Sequence, residues 1–361
     1  MNSQEQEEKI FSNENYTIKD LRLVALSEDE EIDYLGIDVD RVYYTSSDKE
    51  GKWFKFNDGS LIYLPPHETY YNSLIERNRG VISNEIQEKI RNTNFIIFGT
   101  GTTGGDIATM LAQIGAENIT ILDMDNLDAS NLNRQHGKYY DIGRSKVDII
   151  ADDIYGINPY ISVNAVNKRI IPEDVNSIIN SIKEGSSSII FWEMDDRDSF
   201  IQAHFSAKEK GIPIFMLTDI GHSVYCLTFL YNQKESRLFN GKTDIENAKK
   251  MSFLELMAKF IPINSLPLEY LEVVSEMMSE SRDTVPQVTT ASKKAGAIAC
   301  ETIISYFENK KIKEGVMHNT MKNQLTKFQK FIDMTEKINY IYRLGKLKKQ
   351  LSKRTNKKSS F

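Results

Sequence analysis

The chain has 361 residues, 40% of them apolar and 27% charged, and its 45 Lys/Arg against 51 Asp/Glu give a formal net charge of −6. This balance excludes a disordered chain and one that coats nucleic acid with its whole surface, and no stretch approaches the roughly 20 apolar residues of a membrane span. Two cysteines, Cys226 and Cys300, are too few for a disulfide framework or for a four-thiolate zinc site.

The opening residues, Met1 to Glu8, are polar and acidic and lack the apolar core of an export signal, so a cytoplasmic setting is expected. Short β-prone runs follow at Leu21–Leu26, Val42–Thr45, Trp53–Phe56 and Leu61–Leu64. Polar breaks separate them, and Asn57–Ser60 reads as a hairpin turn. Residues 1–75 are therefore expected to form a small β-rich N-terminal module, with Pro65-Pro66 as a natural break. From 76 to 310 the pattern changes. Apolar runs at Phe95–Phe98, Ile119–Leu122, Ile161–Val166, Ser188–Phe191 and Ile212–Leu217 alternate with helical patterns. The helical patterns run from the end of a Gly-rich turn to Ile114, then over Lys146–Tyr155, Pro172–Ile182 and Ser199–Lys210. Such alternation predicts an α/β, Rossmann-like, mostly parallel sheet with helices on both faces. Ser223–Leu230 follows without an intervening helix, which predicts an antiparallel extension. The last segment, 311–361, carries fourteen Lys/Arg and three acids, a surplus of +11. A helix is expected over Asn319–Leu344 from the spacing of Met321, Leu325, Phe328, Ile332, Ile338 and Ile341. The charge suits a solvated helix with a frayed basic end. Docking of an acidic partner or RNA is the alternative, with nucleic acid not favoured.

Gly99-Thr100-Gly101-Thr102-Thr103-Gly104 fits G-x-G-x-x-G between a strand and a helix. Glycine is required where the backbone turns tightly and lets a phosphate approach the free N–H groups of a helix start. Asp123 ends the next strand, 22 residues after Gly101, where a carboxylate can take ribose hydroxyls. A polar run from Asp125 through Asn131 to Gln135 follows, then Asp141 to Lys146. Arg134 and Lys146 suit phosphates, Arg as a fork onto two oxygens and Lys as a point charge.

On these residues the chain resembles the ThiF/MoeB superfamily, the adenylating domain of ubiquitin-activating enzymes. The specific match is D-x-D-x(4)-S-N-L-N-R-Q from Asp123 to Gln135, followed by I-G-x-x-K from Ile142 to Lys146. Asn158-Pro159, Asp195-Asp196 and the small-residue segment from Val285-Pro286 to Tyr306 extend it from about Arg77 to Phe307. The resemblance implies that a substrate carboxylate attacks the α-phosphorus of ATP. By it, Gly99, Gly101, Gly104, Asp123 and Asn131 hold the nucleotide, and Arg134 and Lys146 hold and polarise the phosphates. Asp195 would coordinate Mg²⁺, with Asp125 near the metal or the attacking group. An N-cap is the plainer role for Asp195. The resemblance also implies a homodimer in which an Arg ahead of the Gly turn, Arg77 or Arg79, enters the partner's site.

Several positions depart from the family pattern. Thr102 stands where Gly is frequent, and Thr does not adopt positive φ readily. The C-x-x-C pairs that hold zinc in many relatives are missing, so no zinc is expected. Cys226 in an apparent strand and Cys300 in a small-residue helix read as buried packing thiols, which disfavours a thioester carrier. His222, after Gly221, reads as a loop histidine, with a site role as the alternative. The lack of a thiol and the extra N-terminal module resemble the peptide-tailoring members, the microcin-type adenylators and the pantocin-maturing enzyme. A precursor peptide or small protein is therefore the expected partner, with Phe253, Leu256, Met257, Phe260 and Leu271 as a lid over it. The alternatives are a tRNA- or cofactor-modifying enzyme, an activator of a ubiquitin-like protein, an inactive scaffold subunit and a nicotinamide oxidoreductase.

Overall fold

A computed structural model describes residues 66–267 and 286–319 without interruption, strands at 41–43, 52–56 and 61–64, single positions between 270 and 276, and residues 324–358. The expected strand at Leu21–Leu26 lies outside the described residues. Strands β1 (Arg41–Tyr43), β2 (Lys52–Phe56) and β3 (Leu61–Leu64) form an antiparallel sheet, with Lys55 opposite Leu61 as a hairpin requires. Helices α1 (His67–Leu74) and α2 (Asn84–Asn92) lead into β4 (Asn94–Phe98).

The main sheet then alternates with helices. In chain order these are α3 (Thr102–Gln113), β5 (Asn118–Asp123), α4 (Lys146–Ile157), β6 (Ser162–Asn167) and α5 (Pro172–Ser181), then β7 (Ser188–Trp192), α6 (Arg197–Lys210), β8 (Ile214–Ile220) and β9 (Ser223–Phe229). Strand order is β10-β9-β8-β7-β4-β5-β6, where β10 is Gly315–His318. Strands β6, β5, β4, β7 and β8 are parallel, and β9 and β10 add antiparallel pairs. The fold is thus the expected Rossmann-like sheet with its antiparallel extension. Strand β10 has no counterpart in the sequence reading, which saw only helix and charge after 310. Its Val316 lies opposite Cys226 of β9.

Central strands β4 and β7 are apolar throughout because both faces are covered. Successive side chains alternate faces. Phe95 and Ile97 pack with Ile107 and Leu111 of α3, Ile150 and Ile154 of α4, and the alanines of α9 (Thr289–Phe307). Ile96 and Phe98 pack on the other face with Val175, Ile179, Phe200 and Ala203. Helix α9 approaches α3 closely, since a methyl on Gly296 would stand 2.5 Å from Met110 Sδ and 2.9 Å from the Asp106 carbonyl oxygen. Its small residues thus serve backbone proximity. Helix α1 belongs to this packing: Tyr71 is buried and donates to the Gly115 carbonyl, and Arg91 bridges Glu68 and Glu117.

Two expectations are corrected. The segment expected as a lid is core. Helices α7 (Ile245–Lys249) and α8 (Phe253–Phe260) lie on the second face, where Leu256, Met257, Phe260 and Leu271 are buried with Phe200 and Phe239. The i, i+3, i+4, i+7 pattern of Phe253, Leu256, Met257 and Phe260 gives a helix one apolar stripe, and the sheet face takes it up. The C-terminal helix α10 spans Lys327–Lys358, starting later and running further than expected. Tyr340 and Ile341 reach the second face, while Phe328 and Ile338, which helped mark the helix by their spacing, are 72% and 59% exposed, as in a solvated helix. Among the described residues no helix is long and apolar enough to cross a membrane.

Candidate active site

The chain leaves β4 toward β5 and β6 on one side, then returns to place β7 and β8 on the other. Connections that diverge in this way open a crevice at the carboxyl ends of the strands. A pocket of about 700 Å³ lies there, lined by residues after β4 (Gly99, Gly101–Thr103), β5 (Asp123–Asp125), β7 (Glu193–Asp196) and in β8 (Met216–Asp219). Lys146, the 168–172 segment, Asp198, Gln135 and Gln287 complete its walls.

The glycines divide their duties. Gly99 has φ of +93°, and a methyl there would sit 2.6 Å from the Glu193 carbonyl oxygen. At Gly104 a methyl would come 1.9 Å from the Gly99 carbonyl oxygen, so the turn closes only without one. Gly101 faces open space, with Gln135 Nε2 at 3.8 Å from an added methyl, and this is the surface a phosphate can approach. Thr102, in the position where Gly is frequent, is the first residue of α3 and has no positive φ, so the substitution is accommodated.

Asp123 ties the turn to β5. Its Oδ2 accepts from the Thr100 amide at 2.7 Å and the Thr100 hydroxyl at 3.2 Å, and its Oδ1 accepts from the Asp125 amide at 2.9 Å. A carboxylate has about four lone-pair directions, so three are engaged within the fold and one is left over. Lys146 opens α4 and its ammonium donates to Asp125 Oδ2 at 2.9 Å, which brings these two expected site residues together at the pocket.

Asn131 and Arg134 stand back from the pocket wall. Asn131 Oδ1 accepts from the Asp128 amide at 3.0 Å, while Asp128 accepts from the Ser130 amide at 2.8 Å, a reciprocal cap on the turn Ala129–Asn131. Asp128 is thus the cap of this turn. Arg134 donates through Nε to Thr102 Oγ1 at 3.1 Å and Gln287 Oε1 at 2.8 Å, and through Nη1 to the Ser130 carbonyl and Asn133 Oδ1. None of these bonds uses Nη2, whereas a two-nitrogen fork onto a phosphate would require Nε or Nη1 to give up a partner. Arg77 and Arg79 flank or enter the turn Glu76–Asn78 and line no part of this pocket within one chain. Arg79 donates to Asn72 Oδ1 at 3.1 Å and borders a separate hollow between α1 and α2.

Asp195 lines the pocket, and burial raises its carboxyl above the ordinary carboxylate range. The N-cap of α6 is its neighbour Asp196, which accepts from the Ser199 amide at 2.7 Å. Asp195 is therefore released from the plainer of its two expected roles. Among the described residues no group of three or more His, Cys, Asp and Glu is arranged to hold a metal ion. A single carboxylate at the pocket nevertheless fits Mg²⁺, which binds through one or two carboxylates with phosphates and waters.

Glu193, Asp219 and Gln287 are among the lining residues not singled out from the sequence. Glu193 lies partly buried beneath the glycine turn. Its Oε2 accepts from the Thr103 hydroxyl at 2.6 Å and its Oε1 from the Leu217 amide at 3.0 Å, and burial pushes its carboxyl up to about 8. Asp219 accepts from Gln287 Nε2 at 3.1 Å. An acid directly after the apolar run Ser188–Trp192 was the available signal for Glu193. Behind α3, His136 donates to Asp106 at 2.8 Å and Asp153 at 2.6 Å, while Lys293 and Ser292 also reach Asp106. Both thiols are buried, which pushes each up to about 12. His222 is exposed, touches Thr290 Oγ1 at 3.3 Å and stays outside the pocket.

A sequence model of the ThiF family matches residues 75–332. The probable adenylyltransferase/sulfurtransferase MoeZ of Mycobacterium tuberculosis is 38% identical over 107 residues, 29% of this chain and 26% of MoeZ. The tRNA threonylcarbamoyladenosine dehydratase of Bacillus subtilis is 35% identical over 91 residues, 25% of this chain and 36% of that protein. The chain thus spans well under half the length of these curated relatives. The solved structure of PaaA matches in fold with a TM-score of 0.51 at 18% identity, covering 70% of this chain and 71% of that one.

Proposed function

The chain belongs to the ThiF family, and from that premise we propose that it uses Mg·ATP to adenylate a carboxylate on a ribosomally made peptide, without a cysteine carrier. The observation that carries the nucleotide reading is the meeting of the glycine turn, Asp123 and the Asp125–Lys146 pair around one pocket. Amides of the turn and the start of α3 face the phosphates, where a helix start favours an anion. Asp123 holds one ribose hydroxyl. Lys146 balances charge on the phosphates, and Arg134, released from Gln287, adds a fork onto them. Asp195 would hold Mg²⁺, which when bound neutralises phosphate charge. The substrate carboxylate oxygen forms a bond to the α-phosphorus and pyrophosphate leaves with the electrons of the broken P–O bond.

The absence of a carrier rests on the thiols. Cys226 and Cys300 are buried, which raises both thiols to about 12, so neither offers a thiolate to an acyl-adenylate. A peptide substrate is supported by the antiparallel strands β1–β3 ahead of the ATP domain, because an exposed sheet edge can take an extended chain as an added strand. A dimer completed by Arg77 or Arg79 of the partner, in a cytoplasmic setting, belongs to the same reading.

Calorimetry tests the nucleotide assignment. Asp123→Ala removes one charge-assisted hydrogen bond to ribose, about 1.5–3 kcal/mol, and also loosens the turn. Mg·ATP affinity is expected to fall at least tenfold. Unchanged affinity would overturn the assignment.

A further inference from the structure

Of the fourteen large apolar side chains exposed among the described residues, five sit on one helix. They are Phe328, Phe331, Met334, Ile338 and Tyr342 of α10, each more than half exposed. At about 100° per residue they share an arc of about 120°. Tyr340 and Ile341 lie outside that arc and pack on the second face of the sheet. The arc is therefore a band turned away from the body of the protein, and an exposed apolar band of this size marks an interaction surface.

Charge on the helix is sorted about the same band. Its two acids, Asp333 and Glu336, stand about 140–160° from the middle of the arc. Beyond Tyr342 the arc continues through the positions of Lys346, Lys349 and Lys353, while those of Leu344, Leu347 and Leu351 fall on the Tyr340 side. From Arg343 to Lys358 the sequence has eight Lys/Arg and no acid. One outward band is thus apolar over about four turns and lysine-rich over the turns that follow.

An occupant must satisfy both halves. A nucleic acid pairs with the lysines and leaves the apolar half in water. A second copy of the helix, antiparallel to the first, covers the apolar half and leaves the lysines without partners. A bilayer with acidic headgroups suits both, because the apolar side chains enter the acyl boundary and the lysines reach the headgroup charge. A plane also needs no matching register along a helix of about 48 Å. We propose that α10 is a peripheral membrane anchor that lies in the plane of an anionic phospholipid surface and keeps the rest of the chain there. This depends on no part of the adenylation reading and requires no spanning segment.

The test uses the full chain with vesicles of phosphatidylcholine, alone or with about 30% phosphatidylglycerol, in about 0.1 M salt, read by co-sedimentation. Affinity for the acidic vesicles is expected to exceed that for the neutral ones at least tenfold. Phe328→Ser/Phe331→Ser/Ile338→Ser should lose at least tenfold of that affinity and keep its urea midpoint, because all three side chains are exposed. Lys346→Gln/Lys349→Gln/Lys353→Gln should lose at least tenfold as well. Equal sedimentation with the two vesicles, or none with either, overturns the proposal. Undiminished binding by the serine variant also overturns it, because the lysines alone would then suffice. Tighter binding to polyuridylate than to acidic vesicles would assign the band to RNA. Self-association that the serine variant abolishes would assign it to a second copy. Either result overturns the anchor.

Discussion

At the scale of single residues, the meeting of Asp123, Asp125 and Lys146 at one pocket was legible because they are close in sequence and flank one strand end, whereas Asn131 and Arg134 of the same run stand back from it. Glu193, Asp219 and Gln287 were not legible, because their meeting depends on β7, β8 and the segment before α9 being brought together across nearly a hundred residues. The polar network behind the site is the same kind of object and has a measurable signature. Burial opposes charge on His136, but its hydrogen bonds to Asp106 and Asp153 outweigh that and raise the imidazolium to about 9, from 6.5. A histidine raised on folding adds stability that is complete below about 6.5 and is lost as pH climbs to about 9. Glu193 runs the same way between about 4.5 and about 8, so the two must be separated. Urea midpoints at pH 6, 7.5 and 9 should fall for both the unaltered protein and His136→Asn. The fall between 7.5 and 9 should be smaller in the variant. Parallel curves would show that the imidazole is not held charged.

At the scale of elements, periodicity located nearly every strand and helix of the main sheet, since parallel strands covered on both faces leave unbroken apolar runs. It gave β10 no signal, because Gly315–His318 is four residues long and only partly buried. It also could not say which surface an amphipathic helix meets. The stripe of α8 suits a lid and a core equally, and only the sheet face with Phe200 and Phe239 decides between them. Leu256 is fully buried there, so Leu256→Ala should lose about 2–5 kcal/mol of stability through an unfilled cavity. Denaturant titration checks this. A lid residue would instead leave stability within about 0.5 kcal/mol, as exposed positions do.

At the scale of the whole molecule, Pro65-Pro66 marks a usable cut and residue 75 does not, because α1 is held by Tyr71, Glu68 and Arg91. Deleting residues 1–65 should leave Mg·ATP affinity within about threefold and abolish modification of a peptide, if the β-rich module positions it. Normal processing by the shortened protein would assign recognition elsewhere. Arg77 and Arg79 invite a second experiment, since within one chain they stay outside the pocket. A Lys146→Ala protein mixed with an Arg77→Ala/Arg79→Ala protein should recover about a quarter of full activity, as random pairing gives half hybrids with one intact site each. No recovery, or full activity from a monomer, would count against a shared site.

Strand β10 carries one more consequence, which concerns synthesis. The ribosome makes β9 long before it makes β10, about 85 residues later in the chain, so the outer edge of β9 emerges with its amide and carbonyl groups unmatched. An open edge of this kind pairs readily with another chain. Until Gly315–His318 arrives, the nascent protein is therefore exposed to edge-to-edge association. A message broken after codon 310 would leave that hazard permanent, yielding a product with every pocket residue present and a strong tendency to precipitate.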